Sequence, residues 1–433
     1  MNLDKLELEN LNELRKTDLQ STVHREAALR EPFLLKPAAK DYLWGGNRLN
    51  DDFGKGIDLS PLAETWECST HPDGPSTIAS GQFAGKLLPD FIEKHPEVLG
   101  THPMKVMKGV EDQCLAGDEP LSGDKSFSED SGSDVAGEHT TSNEIDECRH
   151  SAEVVMKKPI GLPVLIKFID AKKDLSVQVH PDDEYARTHE GGQLGKTEMW
   201  YVLSAAPGAS LVYGFRRDVT AAELRRRLQD GSVERDLQKV PIHKDDVFLV
   251  KAGTVHAIGA GALIVEIQES SNLTYRLYDY NRVGKDGKKR ELHVEKALAV
   301  ADLHATPKPK QPMRVLKYRP GWASEMLGRC KYFEVWRVLL NTEITRSLVP
   351  MQTDGTSFRV LLCVDGCGSI AYGGSSVSES DNGPGRDDRS GSENGRGTST
   401  TILNFFKGDC IFIPANSLEV RLHGKAQLLM VTC

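Results

Sequence analysis

Between residues 162 and 282 the chain runs through seven short segments that are apolar throughout or alternate polar with apolar residues, separated by turn-forming residues. They are LPVLIKFIDA (162–171), LSVQVH (175–180), EMWYVL (198–203), SLVYGF (210–215), DVFLV (246–250), ALIVEIQE (262–269) and YRLYDYNR (275–282), with the turn GKDGK after the last. Patterns of this kind mark β-strands. A second cluster, FEVWRVLL, SFRVLLCV, GSIAY, GDCIFIP, LEVRL and AQLLMVTC, falls within residues 314–433. Many closely spaced strands in two clusters predict a mainly β protein built from two β-barrels or sandwiches. Helices are few. Thr220-Ala-Ala-Glu223 has the form of a capping box opening a helix to about Leu228, and LLPDFIEKH (87–95) sets Leu87, Leu88, Phe91 and Ile92 on one face.

Three further segments stand outside this pattern. Residues 1–30 read as an amphipathic helical leader, with Leu3, Leu6, Leu8, Leu11 and Leu14 near helical spacing. The stretches at about 103–158 and 373–400 are rich in Ser, Gly, Asp and Glu and poor in large apolar residues, so they bury too little surface to offset chain entropy. They are expected to be disordered insertions, the first of them acidic. The expected organisation is a leader at 1–30, a catalytic unit at 31–310 and a second β unit at 311–433.

The 433 residues carry a net charge of -9, which argues against a general affinity for nucleic acid or an anionic membrane surface. The N-terminus has no apolar run of the kind a secretory signal needs, and no segment is long and apolar enough to span a bilayer. The eight cysteines are scattered without a CxxC pair, and reduced thiols in a cytoplasm are the simpler expectation. Oligomeric state is left open.

The strongest local chemical signal is Gln178-Val179-His180-Pro181. Residues two apart on a strand share a face, so Gln178 and His180 project together. Lys196-Thr197-Glu198 enters the next strand and can bring a carboxylate beside them, and Gly253-Thr254-Val255-His256 adds a second imidazole at a glycine turn. One amide oxygen, two imidazoles and one carboxylate form a shell suited to a divalent metal such as zinc. In the C-terminal segment Gly408-Asp409 and Pro414-Ala415 resemble the metal-site turn of a cupin, and because Ser417 and Leu418 stand where a histidine would, the resemblance implies a metal-free unit.

The run LPVLIKFIDAKKDLSVQVHPDD…GKTEMWYVL…KAGTVHAIGAGALIVEIQESSNLTYRLYDYNR resembles the body of a bacterial type I mannose-6-phosphate isomerase, and YLWGGNRL…LAETWECSTHPDGPS fits the same family. The leader and the two insertions are not typical of it. The resemblance implies two cupin-type jelly-roll barrels and one zinc ion per chain, held by Gln178, His180, Glu198 and His256. It implies a catalytic Arg276, with Lys196 and Glu266 as active-site residues. It places Lys167 and Ser176 near the phosphate of a phosphosugar, and Trp44 and Glu64 in the pocket. The implied reaction interconverts mannose 6-phosphate and fructose 6-phosphate through a cis-enediol.

Glu266 sits inside the apolar ALIVEIQE, where a carboxylate needs a partner or an unusual pKa. Glu266, Lys196 and metal-bound water all remain candidates for carrying the proton. Arg276 has a plainer reading as one rung of a polar ladder with Tyr278, Tyr280 and Arg282. Other functions consistent with the residues are a non-catalytic sugar-binding cupin and an isomerase of a different phosphosugar. An iron-dependent oxygenase would want a more histidine-rich shell.

Overall fold

The computed structural model describes residues 26–106, 161–284, 287–311, 313–373 and 400–433. They form three antiparallel sheets. The first runs Val247–Val250, Glu198–Ala205, Ala262–Glu269, Val164–Ala171, Glu64–Cys68 and Ala38–Lys40. The second runs Tyr275–Tyr278, Val177–Val179, His256–Ile258, Ser210–Phe215 and Leu237–Pro241. The third has ten strands, most of them from residues 317–432. The protein is mainly β as expected; none of the three sheets closes on itself into a barrel, and the six- and five-stranded sheets pack face to face.

The six-stranded sheet is covered on both sides, and the pleat decides what each side sees. On Val164–Ala171, Glu198–Ala205 and Ala262–Glu269, one set of alternate residues (Ile166, Phe168, Met199, Tyr201, Leu263, Val265, Ile267) packs in a core shared with Phe33, Phe358, Phe412 and Leu429. The intervening set (Ile169, Ala171, Trp200, Val202, Ala262, Ile264) packs against Leu211 and Ile258 of the five-stranded sheet. Burial on both faces explains why LPVLIKFIDA and ALIVEIQE read as near-continuous apolar runs.

Phe33–Lys36 does not join these sheets. It pairs with Cys410–Ile413 in the ten-stranded sheet, Phe33 opposite Phe412, so the segment expected to open the catalytic unit is stitched into the C-terminal one. In that sheet SFRVLLCV and GSIAY, expected as two strands, are one strand, Arg359–Tyr372, and LEVRL and AQLLMVTC lie in another, Val420–Thr432. Glycine makes the continuity feasible. Gly366 and Gly424 have φ of 78° and 126°, and a Cβ at Gly424 would stand 2.5 Å from the Cys367 carbonyl oxygen.

Helix Ala221–Asp230 begins where expected, with the Thr220 side chain accepting from the Glu223 amide. In Leu88–Lys94 the buried residues are Leu88, Phe91 and Ile92, while Leu87 is the exposed residue before the first turn and not part of the apolar face. The strand expected at 275–282 stops at Tyr278. Its ladder is irregular between Arg276 and Tyr278, and Tyr280 and Asn281 take positive φ, so the four-residue polar ladder does not form.

The expected insertion at 103–158 starts too early. Residues 101–106 are helical, anchored by Met104 against the large core; residues 107–158 lie outside the described residues. The second insertion leaves the fold from a hairpin that pairs Tyr372 with Thr401, and residues 374–399 are likewise outside the description, as are residues 1–25 of the leader. Among the described residues no helix is long and apolar enough to cross a membrane, and Cys68, Cys330, Cys363, Cys367, Cys410 and Cys433 are free.

Candidate active site

The site lies where the facing sheets bring their polar ends together. On the six-stranded sheet the inward alternation that carries Ile169, Ile264 and Trp200 continues to Lys167, Glu266 and Glu198. Register sets Glu266 opposite both Lys167 and Trp200, and Glu64 opposite Ile169. On the five-stranded sheet Gln178 is paired with His256 on one side and Arg276 on the other. Gln178, His180, His256 and Arg276 therefore come from three neighbouring strands or their ends, and the carboxylates come from the sheet opposite.

His180, Glu198 and His256 place one ligand atom each within 4.8 Å of one another, and all three are buried. His180 Nε2 is 2.7 Å from Glu198 Oε1 and His256 Nε2 is 3.9 Å from it. Each imidazole gives its Nδ1 hydrogen to a backbone carbonyl, His180 to Leu273 at 2.7 Å and His256 to Thr254 at 2.8 Å. Neutral rings held in that tautomer turn Nε2 lone pairs toward the carboxylate. Burial keeps them neutral: it lowers the His180 pKa to about 3, with Lys196 adding to the effect, and lowers that of His256 as well. Burial would raise Glu198, but Lys196 and His180 outweigh it and hold the carboxyl well below its usual value.

Glu198 Oε1 accepts no well-formed hydrogen bond among the described residues, although Lys196 Nζ lies 2.9 Å away. Two lone pairs facing a buried carboxylate oxygen call for a cation, and the donor set fits a divalent metal. The Gln178 side-chain amide reaches 3.4 Å from His256 Nε2, and rotating its two similar ends presents the oxygen as a fourth donor.

The remaining expected residues line one cleft, of about 270 Å³, over this cluster: Trp44, Glu64, Lys167, Ser176, Lys196, Glu266 and Arg276, together with Gln178. At the deep end Lys167 Nζ is 3.4 Å from Glu266 and 3.7 Å from Glu64, and sits 4.7 Å over the Trp66 ring. Burial alone would lower the Lys167 pKa, but the Glu64 and Glu266 carboxylates outweigh it and raise it. At the other end Arg276 Nε donates to Ser176 Oγ at 3.3 Å. Lys167 and Ser176, expected near the phosphate, both line this cleft, Lys167 beside Glu64 and Glu266 and Ser176 beside Arg276.

Sequence reasoning missed several lining residues: Tyr42, Asn272, Thr274 and Arg290. It also missed Trp200, whose indole N–H lies between Glu198 Oε2 at 2.8 Å and Glu266 Oε2 at 3.0 Å, tying the metal-facing carboxylate to its neighbour. The alternation that placed Glu198 inward carried the signal for Trp200, since the two residues share a face.

Depressed imidazole pKa values have a stability consequence. Below the unfolded value of 6.5 the unfolded chain takes up protons that buried His180 and His256 refuse, so stability present above pH 6.5 is lost as pH falls toward 3. The metal-free protein is expected to lose melting temperature across that window, with a shallower slope in His180→Gln. Equal slopes in thermal scans at stepped pH would refute the assignment.

Comparison with known proteins agrees with this geometry. Residues 33–109 and 125–202 match the family model described as phosphomannose isomerase type I, catalytic domain. The chain is 34% identical to the mannose-6-phosphate isomerase ManA of Bacillus subtilis over 277 residues, 64% of this chain and 70% of that protein. It is 34% identical to the mannose-6-phosphate isomerase of Streptococcus mutans over 283 residues, 64% of this chain and 72% of that one. The crystal structure of the Bacillus subtilis mannose 6-phosphate isomerase superposes with a TM-score of 0.67 at 28% identity, covering 92% of this chain and 99% of that one. A shared strand framework, a buried His/Glu/His cluster and relatives of this identity together place the chain in the type I phosphomannose isomerase family.

Proposed function

We propose that the protein interconverts mannose 6-phosphate and fructose 6-phosphate through a cis-enediol, with one zinc ion held by Gln178, His180, Glu198 and His256. The observation that carries this reading is a cleft lined by acids and bases, two of whose lining residues, Gln178 and Lys196, reach the metal-capable cluster. The 31–310 segment supplies all of these residues; we assign catalysis to it and a supporting role to 311–433.

When bound, the divalent ion supplies Lewis acidity to sugar oxygens on which negative charge develops. The chain's own residues handle the protons. A base must take the proton from C2 and return it to C1, while the hydroxyl proton on O2 passes to O1. Glu266 suits this task. Burial, and secondarily the charge of Glu198, raise its pKa above the usual 4.5, which strengthens it as a base. Trp200 fixes one of its oxygens, and Lys167 and Lys196 lie 3.4 and 3.9 Å from the other. Lys196 stands beside both Glu198 and Glu266, placed to donate a hydrogen bond to a sugar oxygen as charge builds. Arg276 and Ser176 offer donors at the far end for the anionic part of the substrate, and Trp44 and Glu64 complete the wall. Nothing in the site calls for nucleic acid or membrane.

The test is a coupled assay of mannose 6-phosphate isomerisation before and after metal stripping and readdition of zinc. Activity lost on stripping and restored by zinc is expected. An inactive zinc-loaded protein would move the reading to another phosphosugar or to a binding module, and restoration by iron alone would replace the metal.

A further inference from the structure

Three guanidinium groups gather at the outer end of the cleft around a single buried carboxylate. Arg290 lines the cleft beside Arg276 and donates from Nε to Asp279 Oδ2 at 2.8 Å. Asp279, 5% exposed, is also held by Arg282, whose Nε is 3.1 Å from Oδ1. Arg276 has its Nε on Ser176 and its Nη1 on the Glu291 carbonyl at 2.9 Å, with no carboxylate in ion-pair contact among the described residues. The Glu291 side chain is exposed to solvent and weakly felt. Arg290 and Arg282 share Asp279 as their ion-pair partner, and Arg276 meets Asp279 and Glu291 only at longer range, so positive charge is in excess here. The repulsion is evident at Arg276, whose pKa is lowered first by burial and next by Arg290.

Lys167 and Lys196 already have carboxylate neighbours, Glu64, Glu198 and Glu266, within 4 Å. A phosphate monoester carries about -1.5 to -2 charges near neutral pH, and Arg276 offers it a guanidinium with no carboxylate in ion-pair contact among the described residues. The Arg290 fork is pre-oriented because Asp279 holds two of its nitrogens, so less side-chain freedom is lost on meeting an anion.

We propose that Arg290 is a phosphate-binding residue of this cleft, positioned by Asp279, and that with Arg276 and Ser176 it takes the substrate's phosphate while Lys167 stays with the carboxylates. The proposal rests on the phosphosugar reading above. It predicts that Arg290→Ala raises KM for mannose 6-phosphate by about 10–100-fold, the usual scale for one charge-assisted hydrogen bond or two, with a much smaller change in kcat. Competitive inhibition by inorganic phosphate weakens in parallel, and Arg290→Lys recovers part of both. Binding of the unreactive hexitol glucitol 6-phosphate, followed by calorimetry, separates the two readings. If the wild type binds it but isomerises nothing, and Arg290→Ala loses that binding, the proposal stands and the isomerase reading falls. Unchanged KM, phosphate inhibition and hexitol binding in a folded Arg290→Ala protein would overturn the proposal. So would a loss confined to melting temperature and shared equally with Asp279→Asn.

Discussion

Glu266→Gln lowers kcat by about 10²–10⁴-fold, the span ordinarily carried by a positioned general base, and leaves substrate binding comparatively intact. The amide keeps the shape that meets the Trp200 indole N–H and the two lysines but cannot accept a proton from carbon. The sign of the pH dependence follows from burial. Because the Glu266 pKa is raised above 4.5, its basic form fills in, and kcat climbs, over a window lying above the usual carboxylate range. In the glutamine variant that acid-side limb disappears. A steady-state profile that keeps the limb, or a kcat within a few fold of wild type, would remove Glu266 as the proton carrier and return the role to Lys196 or metal-bound water.

Glu198→Gln is expected to be at least as damaging, through metal loss. Removing an outer-shell partner of a metal ligand typically costs about 10–100-fold in metal affinity, and Glu198 is the only anion in the inner set. Its loss also strips buried Lys196 of its nearest counter-charge, and breaking a buried pair by deleting one member costs about 3–5 kcal/mol. The purified variant should carry little metal, unfold at lower temperature, and regain some activity only in a large excess of zinc. Full metal content with full activity would show that the ion, if one binds, sits elsewhere.

These two carboxylates also show how far sequence reasoning reached. The strands of the two central sheets were legible because their alternation or apolar continuity follows directly from one or two buried faces. Glu266 stood out as a charge inside an apolar run. Its partners could not be read, because Lys167 and Trp200 meet it across strand pairs whose register depends on turns and irregularities. Arg290 was hidden for a related reason. The chain leaves the strand after Tyr278 through two left-handed residues, and no periodicity predicts where such a loop returns. The merged C-terminal strands were misread because Gly366 and Gly424 look like turns in sequence, whereas here they let paired strands pass without a clash. How the strands divide among three sheets was not legible, because it depends on pairings between distant strands that no local pattern encodes.

The pairing of Phe33–Lys36 with Cys410–Ile413 bears on how such a chain matures as it is synthesised. One edge of the early strand finds Thr77–Ile78 soon after it, but its other edge waits for Cys410–Ile413, which follows far later in the chain. Until then that second edge stays open beside the apolar Phe33 and Leu35, the kind of surface that recruits chaperones or the wrong strand. A ribosome stalled after the catalytic residues have emerged would therefore hold a chain with every ligand and base present but its perimeter open. On the reading proposed above, the strand Cys410–Ile413 is then the seam through which the supporting unit completes the sheet that the catalytic unit begins.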